Sequence, residues 1–295
     1  SPPLTIGRLN NLLGRLKGCK VVYNAQEIYP DILNKPEQSF VNRVLRGMEK
    51  RVYDASDAVT TIDQVFYDTI VRRFKDKSKL HIIPNFVDTE LYHSDVPTDC
   101  LDKSIFPDND NIKLLYAGNI GFAQDWEPLV RLAEKTKDMQ IEYFLIGMGV
   151  RKSWVEEQKL AKKLDKLHIL DYQPRHLMPA ILAYSDLQYI FMTPEMEGMG
   201  FPSKVYTIMA CARPLLVCSG DNTPIVNFLE PVGCAKLITG HDLEIKTDEM
   251  AEWLKAISRE RLREMGAKGE QVIKKHYTKE IVTEQYVNLI DSLLN

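Results

Sequence analysis

The sequence predicts an α/β protein with parallel sheets, organised as two doubly wound domains of which the first is incomplete. Apolar runs of strand length recur along the 295 residues, and helical patterns separate them. This alternation is typical of βαβ units, because consecutive parallel strands need a crossover helix between them. With 44% hydrophobic residues, the chain is long enough to bury a core in each of two domains.

The first domain is predicted over residues 1–88 and contains only about three strands. We expect that roughly a hundred residues needed to complete it are absent from this chain, which also lacks an initial Met. Proline ends the last strand at Pro84, because it cannot donate to a sheet. The predicted strands are Lys20–Tyr23, Ala58–Ile62 and Leu80–Ile83, and the predicted helices are Ser39–Tyr53 and Val65–Phe74.

Residues 89–111 are rich in Asp, Pro, Asn and Thr without a sustained period, which predicts an interdomain linker. The second domain, 112–276, has enough alternating elements for a complete doubly wound sheet, and 277–295 is predicted as a helix that packs back on the first domain. Its predicted strands are Ile112–Ala117, Ile141–Ile146, His168–Leu170, Leu187–Phe191, Leu215–Cys218 and Ala235–Ile238. Helical patterns lie between them at Trp126–Lys135, Trp154–Lys163, Arg175–Tyr184, Lys204–Cys211 and Pro224–Leu229, followed by 247–257, 259–275 and 278–293.

The charged residues are unevenly distributed. Residues 1–83 carry 14 Lys and Arg against 9 Asp and Glu, whereas the rest carries 24 against 32. This excess lacks the dense basic stripe of nucleic-acid-binding proteins, so we expect no nucleic-acid partner. It favours peripheral contact with an anionic membrane or an anionic acceptor, and the alternative is an ordinary solvated surface.

We expect a cytoplasmic protein that is at most peripheral at the inner face of the membrane. No apolar run approaches the roughly 18 residues of a membrane-spanning helix, and the N-terminus has no signal-peptide pattern. The five cysteines are an odd number without CxxC spacing. Such a pattern is typical of free thiols in a reducing compartment.

Ligands of open α/β sheets bind beyond the carboxyl ends of the strands, so the turns that follow strands are the candidate sites. The first such turn of the second domain is Tyr116–Gly121, in which Gly118 and Gly121 allow a ligand close to the backbone. The alternative interpretation of this segment is a tight turn between strand and helix that binds no ligand. The next turn, Ile146–Gly149, lacks the third glycine of a dinucleotide fingerprint, which argues against NAD.

The segment Thr193–Ala210 is the most informative one. A strand is followed by a glycine-containing loop, and Pro202 and Ser203 then open a helix, where Ser203 is expected to cap free amides. Lys204 adds a positive charge at the same helix end, and this combination suits a diphosphate. Glu197, just before the loop, is expected to accept hydrogen bonds from sugar hydroxyls, the alternative being a solvated carboxylate.

A metal site is not predicted. The histidines show no HxxxH pairing, which argues against zinc, and neither GxSxG nor GxxxxGK[ST] occurs. Asp108-Asn-Asp110 precedes a strand instead of following one, so it is interpreted as a solvated turn.

Five stretches of the sequence carry a resemblance to a known family: Tyr29–Asp31, Ile83–Asp88, Tyr116–Gly121, Asp171–Arg175 and Glu197–Pro214. The order IPNxVD and then EGxGxPSK, at the right α/β spacing, makes the combination specific over about residues 20–295. Together these stretches resemble the retaining glycosyltransferases of family 4, which have GT-B architecture with two Rossmann-type domains.

The resemblance implies a nucleotide-sugar donor held mostly by the second domain, an acceptor that enters from the first, and no cofactor or metal. Lys204, Glu197 and Glu27 are the implied catalytic residues. The implied donor-binding residues are Gly118, Asn119, Ile120, Gly121, Gly147, Gly149, Tyr172, Gln173, Gly198, Met199, Gly200, Ser203, Lys204 and Thr207.

The chain departs from the family pattern at several positions. Thr207 replaces a Glu that holds the ribose in many members, and Gln26-Glu27 replaces a His-Asp or similar pair. Most members of the family have an Arg and a Lys in the region where this chain has Asn119, Gln124 and Asp125. Lys204 would supply that positive charge here, as in the branch of the family with an EGxGxPSK loop.

The resulting hypothesis is transfer of a sugar, with retention, from a donor such as a UDP-sugar to a hydroxyl of a lipid-linked or other cell-envelope glycan or exopolysaccharide. Two alternatives remain. One is a non-catalytic nucleotide-sugar or glycan-binding module, and the other is a GT-B-like UDP-sugar epimerase.

Overall fold

The computed structural model describes residues 3–28, 40–197 and 201–295. The chain divides into two units, one formed by 1–86 with 279–295 and the other by 87–278. The predicted α/β class with parallel sheets is confirmed, since every strand pair in both sheets is parallel.

In its described residues the first unit has a three-stranded sheet in the order β1-β2-β3. Helix α11 (Lys279–Leu294) belongs to this unit, and its Val282 and Leu289 pack with Ala58 and Ile83. The elements are α1 (Leu4–Lys17), β1 (Val22–Ala25), α2 (Phe40–Ala55), β2 (Ala58–Thr61), α3 (Gln64–Ile70), β3 (Leu80–Ile82) and α11 (Lys279–Leu294).

Helix α1 was not predicted from the sequence, because two glycines interrupt its helical pattern. A side chain at Gly7 would come within 3 Å of Tyr23 and Val52, and one at Gly14 would overlap Val21. Both glycines therefore lie on the face that packs closely on the rest of the unit. Because glycine has a low helix propensity, the sequence pattern did not predict a helix here. In the folded protein, the packing of this face outweighs that low propensity.

The second unit contains the strands β4 (Ile112–Ala117), β5 (Ile141–Ile146), β6 (Leu167–Leu170), β7 (Leu187–Phe191), β8 (Leu215–Cys218) and β9 (Ala235–Ile238). They form a six-stranded parallel sheet in the order β6-β5-β4-β7-β8-β9. Its helices are α4 (Glu127–Lys135), α5 (Lys152–Lys162), α6 (Met178–Tyr184), α7 (Lys204–Ala210), α8 (Pro224–Leu229), α9 (Leu243–Ala256) and α10 (Arg259–His276).

Helices cover both faces of this sheet. Leu114 of β4 packs in a cluster with Leu129 of α4 and Leu254 of α9. The next residue, Leu115, points to the opposite face and packs with Ile181 of α6. The buried strands are thus apolar on both sides, as expected for a parallel sheet between two helical layers.

Residues 89–111, predicted as a linker, lie within the second unit. Leu101 and Phe106 are buried in its core, and the Phe106 ring stacks on Phe144 with 5.8 Å between centroids. Isolated apolar side chains anchor this segment, so its hydrophobic residues follow neither a helical nor a strand period. The sequence pattern therefore did not predict that the segment packs into the domain.

All five cysteines are free thiols. In the described part of the chain, no helix combines the length and apolar character needed to cross a bilayer.

Candidate functional site

The order of strands in the larger sheet reverses between β4 and β7. From β4 the chain proceeds outward to β5 and β6, and it then returns to β7 on the other side before continuing to β8 and β9. A crevice outside the carboxyl ends of the strands forms at such a switch point. The segments that leave β4 and β7 there, Gly118–Gly121 and Thr193–Glu197, both carry residues predicted as site residues from the sequence.

Two aromatic side chains fix the turn that follows β4. The hydroxyl of Tyr116 donates to the carbonyl of Asn119 at 2.9 Å, and the indole of Trp126 donates to the carbonyl of Gly121 at 2.8 Å. Within the described ranges, the backbone amides of Asn119 and Gly121 donate no hydrogen bond. At Asn119 and Gly121 the carbonyls are therefore occupied and the amides are available, which suits an anion or a ligand oxygen.

Gly147 and Gly149, in the turn after β5, allow that turn to lie against the first one. Their φ angles of 149° and 156° favour glycine. A side chain on Gly147 would overlap the carbonyl of Gly118, and one on Gly149 would overlap the carbonyl of Ile120. Both glycines thus support the first turn through close backbone contact.

Lys204, the first residue of α7, reaches back to the turn after β4. Its ammonium group donates to the carbonyl of Ala117 at 3.2 Å and lies 3.7 Å from the centroid of the Tyr116 ring. A side chain on Gly118 would come within 2.7 Å of its Nζ, and the φ of 152° at this position favours glycine. Among the described residues no carboxylate forms an ion pair with this lysine, and burial lowers its pKa to about 7.

The loop before α7 and its first residues are only partly described. Ser203, predicted to cap the helix, makes no side-chain capping hydrogen bond and is exposed, so that expectation is wrong. Its hydroxyl remains available to a ligand. Thr207 lies one turn along the same helix and is half-buried. Gly198, Met199 and Gly200, as well as Tyr29–Asp31, lie outside the described residues.

Glu197 lies where the ends of β7, β8 and β9 come together. Its side chain is 14% exposed, and its Oε2 is 3.9 Å from Nε2 of His241, which follows β9. Gly220, just after β8, faces the same carboxylate, and a side chain there would overlap Oε2. The sequence analysis missed Gly220 and His241, although the rule that directs attention to strand ends applies to both.

Tyr172 and Gln173 follow β6 on the far side of the two glycine turns. Tyr172 is exposed, and the amide of Gln173 donates to the carbonyl of Asp171 at 3.1 Å. Burial raises the pKa of Tyr116 well above its usual value, and the nearby phenol of Tyr172 adds to the rise. Tyr172 therefore interacts electrostatically with the phenol of Tyr116, the residue whose ring lies under Lys204.

Glu27 belongs to the first unit, whereas Lys204 and Glu197 belong to the second. It follows β1 and is exposed. Its neighbour Gln26 donates through its side-chain amide to Oδ1 of Asn24 at 3.0 Å.

Comparison with solved structures decides the fold. HepE from Anabaena, in complex with UDP, superposes with a TM-score of 0.76 at 13% identity, over 98% of this chain and 77% of that chain. The fold is that of the GT-B glycosyltransferases.

Sequence comparisons support a relationship with the GT-B glycosyltransferase family. Residues 3–91 match the family described as Glycosyltransferase Family 4. The chain is 23% identical over 228 residues to "Putative colanic acid biosynthesis glycosyl transferase WcaI" of Escherichia coli (strain K12), which covers 74% of this chain and 56% of WcaI. It is 22% identical over 292 residues to "Probable glycosyltransferase WbjE" of Pseudomonas aeruginosa, which covers 96% of this chain and 71% of WbjE.

Proposed function

We propose that this protein transfers a sugar from a nucleoside-diphosphate donor, in the first place a UDP-sugar, to a hydroxyl acceptor with retention of configuration. The observation that carries the proposal is the position of Lys204. Its amine has no carboxylate partner among the described residues and lies beside a glycine turn with available amides at Asn119 and Gly121. A diphosphate in this crevice would give the lysine its missing counter-charge.

The transfer breaks the bond between the anomeric carbon and the donor phosphate oxygen and forms a bond to the acceptor oxygen, which loses its proton. The diphosphate gains negative charge as the sugar becomes oxocarbenium-like. Lys204 and the amides of Asn119 and Gly121 would stabilise that charge, and Ser203 is exposed nearby for a phosphate oxygen. We propose that these groups suffice without a metal ion.

Other predicted residues take their proposed roles from their positions. Glu197 would accept hydrogen bonds from sugar hydroxyls, and Tyr172 and Gln173 would border the base. Thr207 would offer one hydroxyl to the ribose. Glu27, in the first unit, is proposed as a carboxylate on the acceptor side.

The comparisons support this donor and acceptor class. HepE was solved with UDP and with UDP-glucose, and the name of WcaI refers to colanic acid biosynthesis. We therefore propose a polysaccharide or lipid-linked glycan as acceptor. We also propose the cytoplasm as the location.

A thermal-shift screen with UDP-, GDP- and ADP-sugars tests the donor site. We expect UDP-sugars to raise the melting temperature most, because a ligand at about 100 times its Kd stabilises the folded state by about 2.7 kcal/mol. Absence of a shift with all three would contradict the proposal.

The non-catalytic binding module remains a second candidate, because Thr207 offers one hydroxyl in place of a carboxylate. Product analysis separates the possibilities once a donor is known. A glycosylated acceptor with the anomeric configuration of the donor supports the retaining transferase. Binding without turnover on a panel of glycan acceptors supports the module, and a new UDP-sugar isomer formed without acceptor supports an epimerase.

Diphosphate binding is expected to depend on the charge of Lys204. Its pKa is about 7 in the folded protein, compared with the ordinary value of 10.5. Between pH 7 and pH 10.5, this amine therefore carries a proton in the unfolded chain but not in the folded one. The stability of the ligand-free protein therefore rises with pH across this window. UDP, which favours the charged amine, is expected to bind up to about tenfold more weakly for each pH unit above pH 8.

Calorimetric titration with UDP from pH 7.5 to 9 measures this effect. A Lys204→Met variant is the reference, because it removes the titrating amine and should show a flat profile. Equal pH dependence in the two proteins would contradict the assignment to Lys204.

We further propose that α1 brings the first unit into contact with an anionic membrane. Leu9, Leu12 and Leu16 of α1 are exposed, the last to 75%. Arg8 and Arg15 of the same helix help to line a groove of about 640 Å³ between α1 and α2. Exposed apolar side chains beside arginines match the acyl chains and the phosphates of an anionic lipid surface.

Co-sedimentation with vesicles of phosphatidylcholine alone, or with added phosphatidylglycerol, tests this contact. We expect binding to the anionic vesicles, and loss of binding on double substitution of Leu12→Ser and Leu16→Ser. Leu160→Ser, at a position 77% exposed in the second unit, is the control. Equal binding to neutral vesicles, dimer formation through these leucines, or no effect of the double substitution would contradict the proposal.

A further inference from the structure

The loop after β9 places an imidazole beside the carboxylate of Glu197. Nε2 of His241 is 3.9 Å from Oε2 of Glu197, and the two side chains are 63% and 14% exposed. Within the ranges that the structure describes, no lysine or arginine forms an ion pair with Glu197. Among the described residues, the imidazole is thus the one basic side chain within ion-pair distance of this largely buried carboxylate.

The end of β8 limits the position of the same carboxylate. Gly220 lies against it so closely that a side chain at this position would overlap Oε2. The imidazole carbon of His241 would be 3.6 Å from that side chain. Glu197 is therefore confined between the Gly220 backbone and His241, which come from two neighbouring strand ends.

The backbone of His241 is held by the helix that follows it. Asp242 is the N-cap of α9, and its carboxylate accepts a hydrogen bond from the amide of Ile245 at 2.9 Å. Met250 and Leu254 anchor α9 in the core of the second unit. The loop thus fixes the position of the His241 backbone, while the exposed imidazole ring remains free to move towards Glu197.

We infer that His241 is a positioning residue that orients Glu197 for the sugar of the donor. The inference rests on the proposed function and deepens it. A small movement of the ring closes the 3.9 Å separation to a hydrogen bond with one carboxylate oxygen. The other oxygen then faces the sugar hydroxyls in a defined orientation. The role of His241 is therefore exerted on the sugar and not on the diphosphate.

Calorimetric titration with UDP and with UDP-glucose separates these two contributions. We expect His241→Ala to leave the affinity for UDP unchanged and to weaken UDP-glucose by at least about tenfold, the lower end of the effect of losing a hydrogen bond to a charged group. His241→Gln, which keeps a donor, should recover most of the loss. His276→Ala, at an exposed histidine of the same unit, is the control.

A double-mutant cycle tests whether His241 acts through Glu197. Because the two side chains form one unit in this inference, His241→Ala should add little to the loss caused by Glu197→Gln. Additive losses, or equal weakening of UDP and UDP-glucose, would overturn the positioning role while leaving the donor site intact. Failure of the unaltered protein to bind UDP would instead overturn the proposed donor, and this inference with it.

Discussion

Replacing Lys204 by methionine is expected to lower sugar transfer by about 100- to 1000-fold while the fold persists. The amine is the cation placed to meet the charge that develops on the leaving diphosphate, and one preorganised donor contributes roughly 3–4 kcal/mol to such a transition state. Methionine keeps an apolar side chain against the Tyr116 ring. Because burial of the amine opposes its charge, its removal should not destabilise the protein.

Steady-state kinetics with the identified donor, together with thermal unfolding, measure both parts of this prediction. Lys255→Met, at an exposed lysine of α9, is the matched control and should retain full activity. A Lys204→Met enzyme with near-native turnover would remove the assignment of leaving-group stabilisation.

Replacing Gly147 by alanine is expected to destabilise the second unit by at least about 3 kcal/mol. Its φ of 149° is rarely adopted by residues with a side chain, and such strain alone costs about 1–3 kcal/mol. The new methyl group would also overlap the carbonyl of Gly118, a backbone atom that cannot move aside without disturbing the turn after β4.

Denaturant unfolding followed by circular dichroism provides the measurement. Gly240→Ala is the control, because a side chain there meets nothing within 4 Å, so its effect should stay within about 1 kcal/mol. Equal stability of the two variants would show that the turns after β4 and β5 are less tightly coupled than their geometry indicates.

Much of the fold was predictable because buried parallel strands give continuous apolar runs. The strands Ile112–Ala117 and Leu215–Cys218 agree with β4 and β8 residue for residue. Helix α1 and the packing of Leu101 and Phe106 were not predictable in the same way. Both depend on close contacts with residues distant in the sequence, which no local pattern records.

The site was predictable where a motif follows directly after one strand. Gly118 and Lys204 belong to such motifs, and the structure brings Lys204 to the turn that contains Gly118. The pairing of Glu197 with His241 was not predictable, because it requires that β7, β8 and β9 be neighbours in that order. The aromatic support under Lys204 was not predictable either, since the sequence shows Tyr116 only as a residue near the end of a buried strand.

The environment of Lys204 also has a consequence for chemical reactivity. A lysine with a pKa near 7 is mostly an unprotonated amine at pH 8, and an unprotonated amine is a nucleophile. Acylating or aldehyde reagents that carry a phosphate would therefore be directed to this side chain ahead of ordinary surface lysines. The same crevice thereby offers an attachment point for covalent inhibitors whose selectivity comes from the donor site.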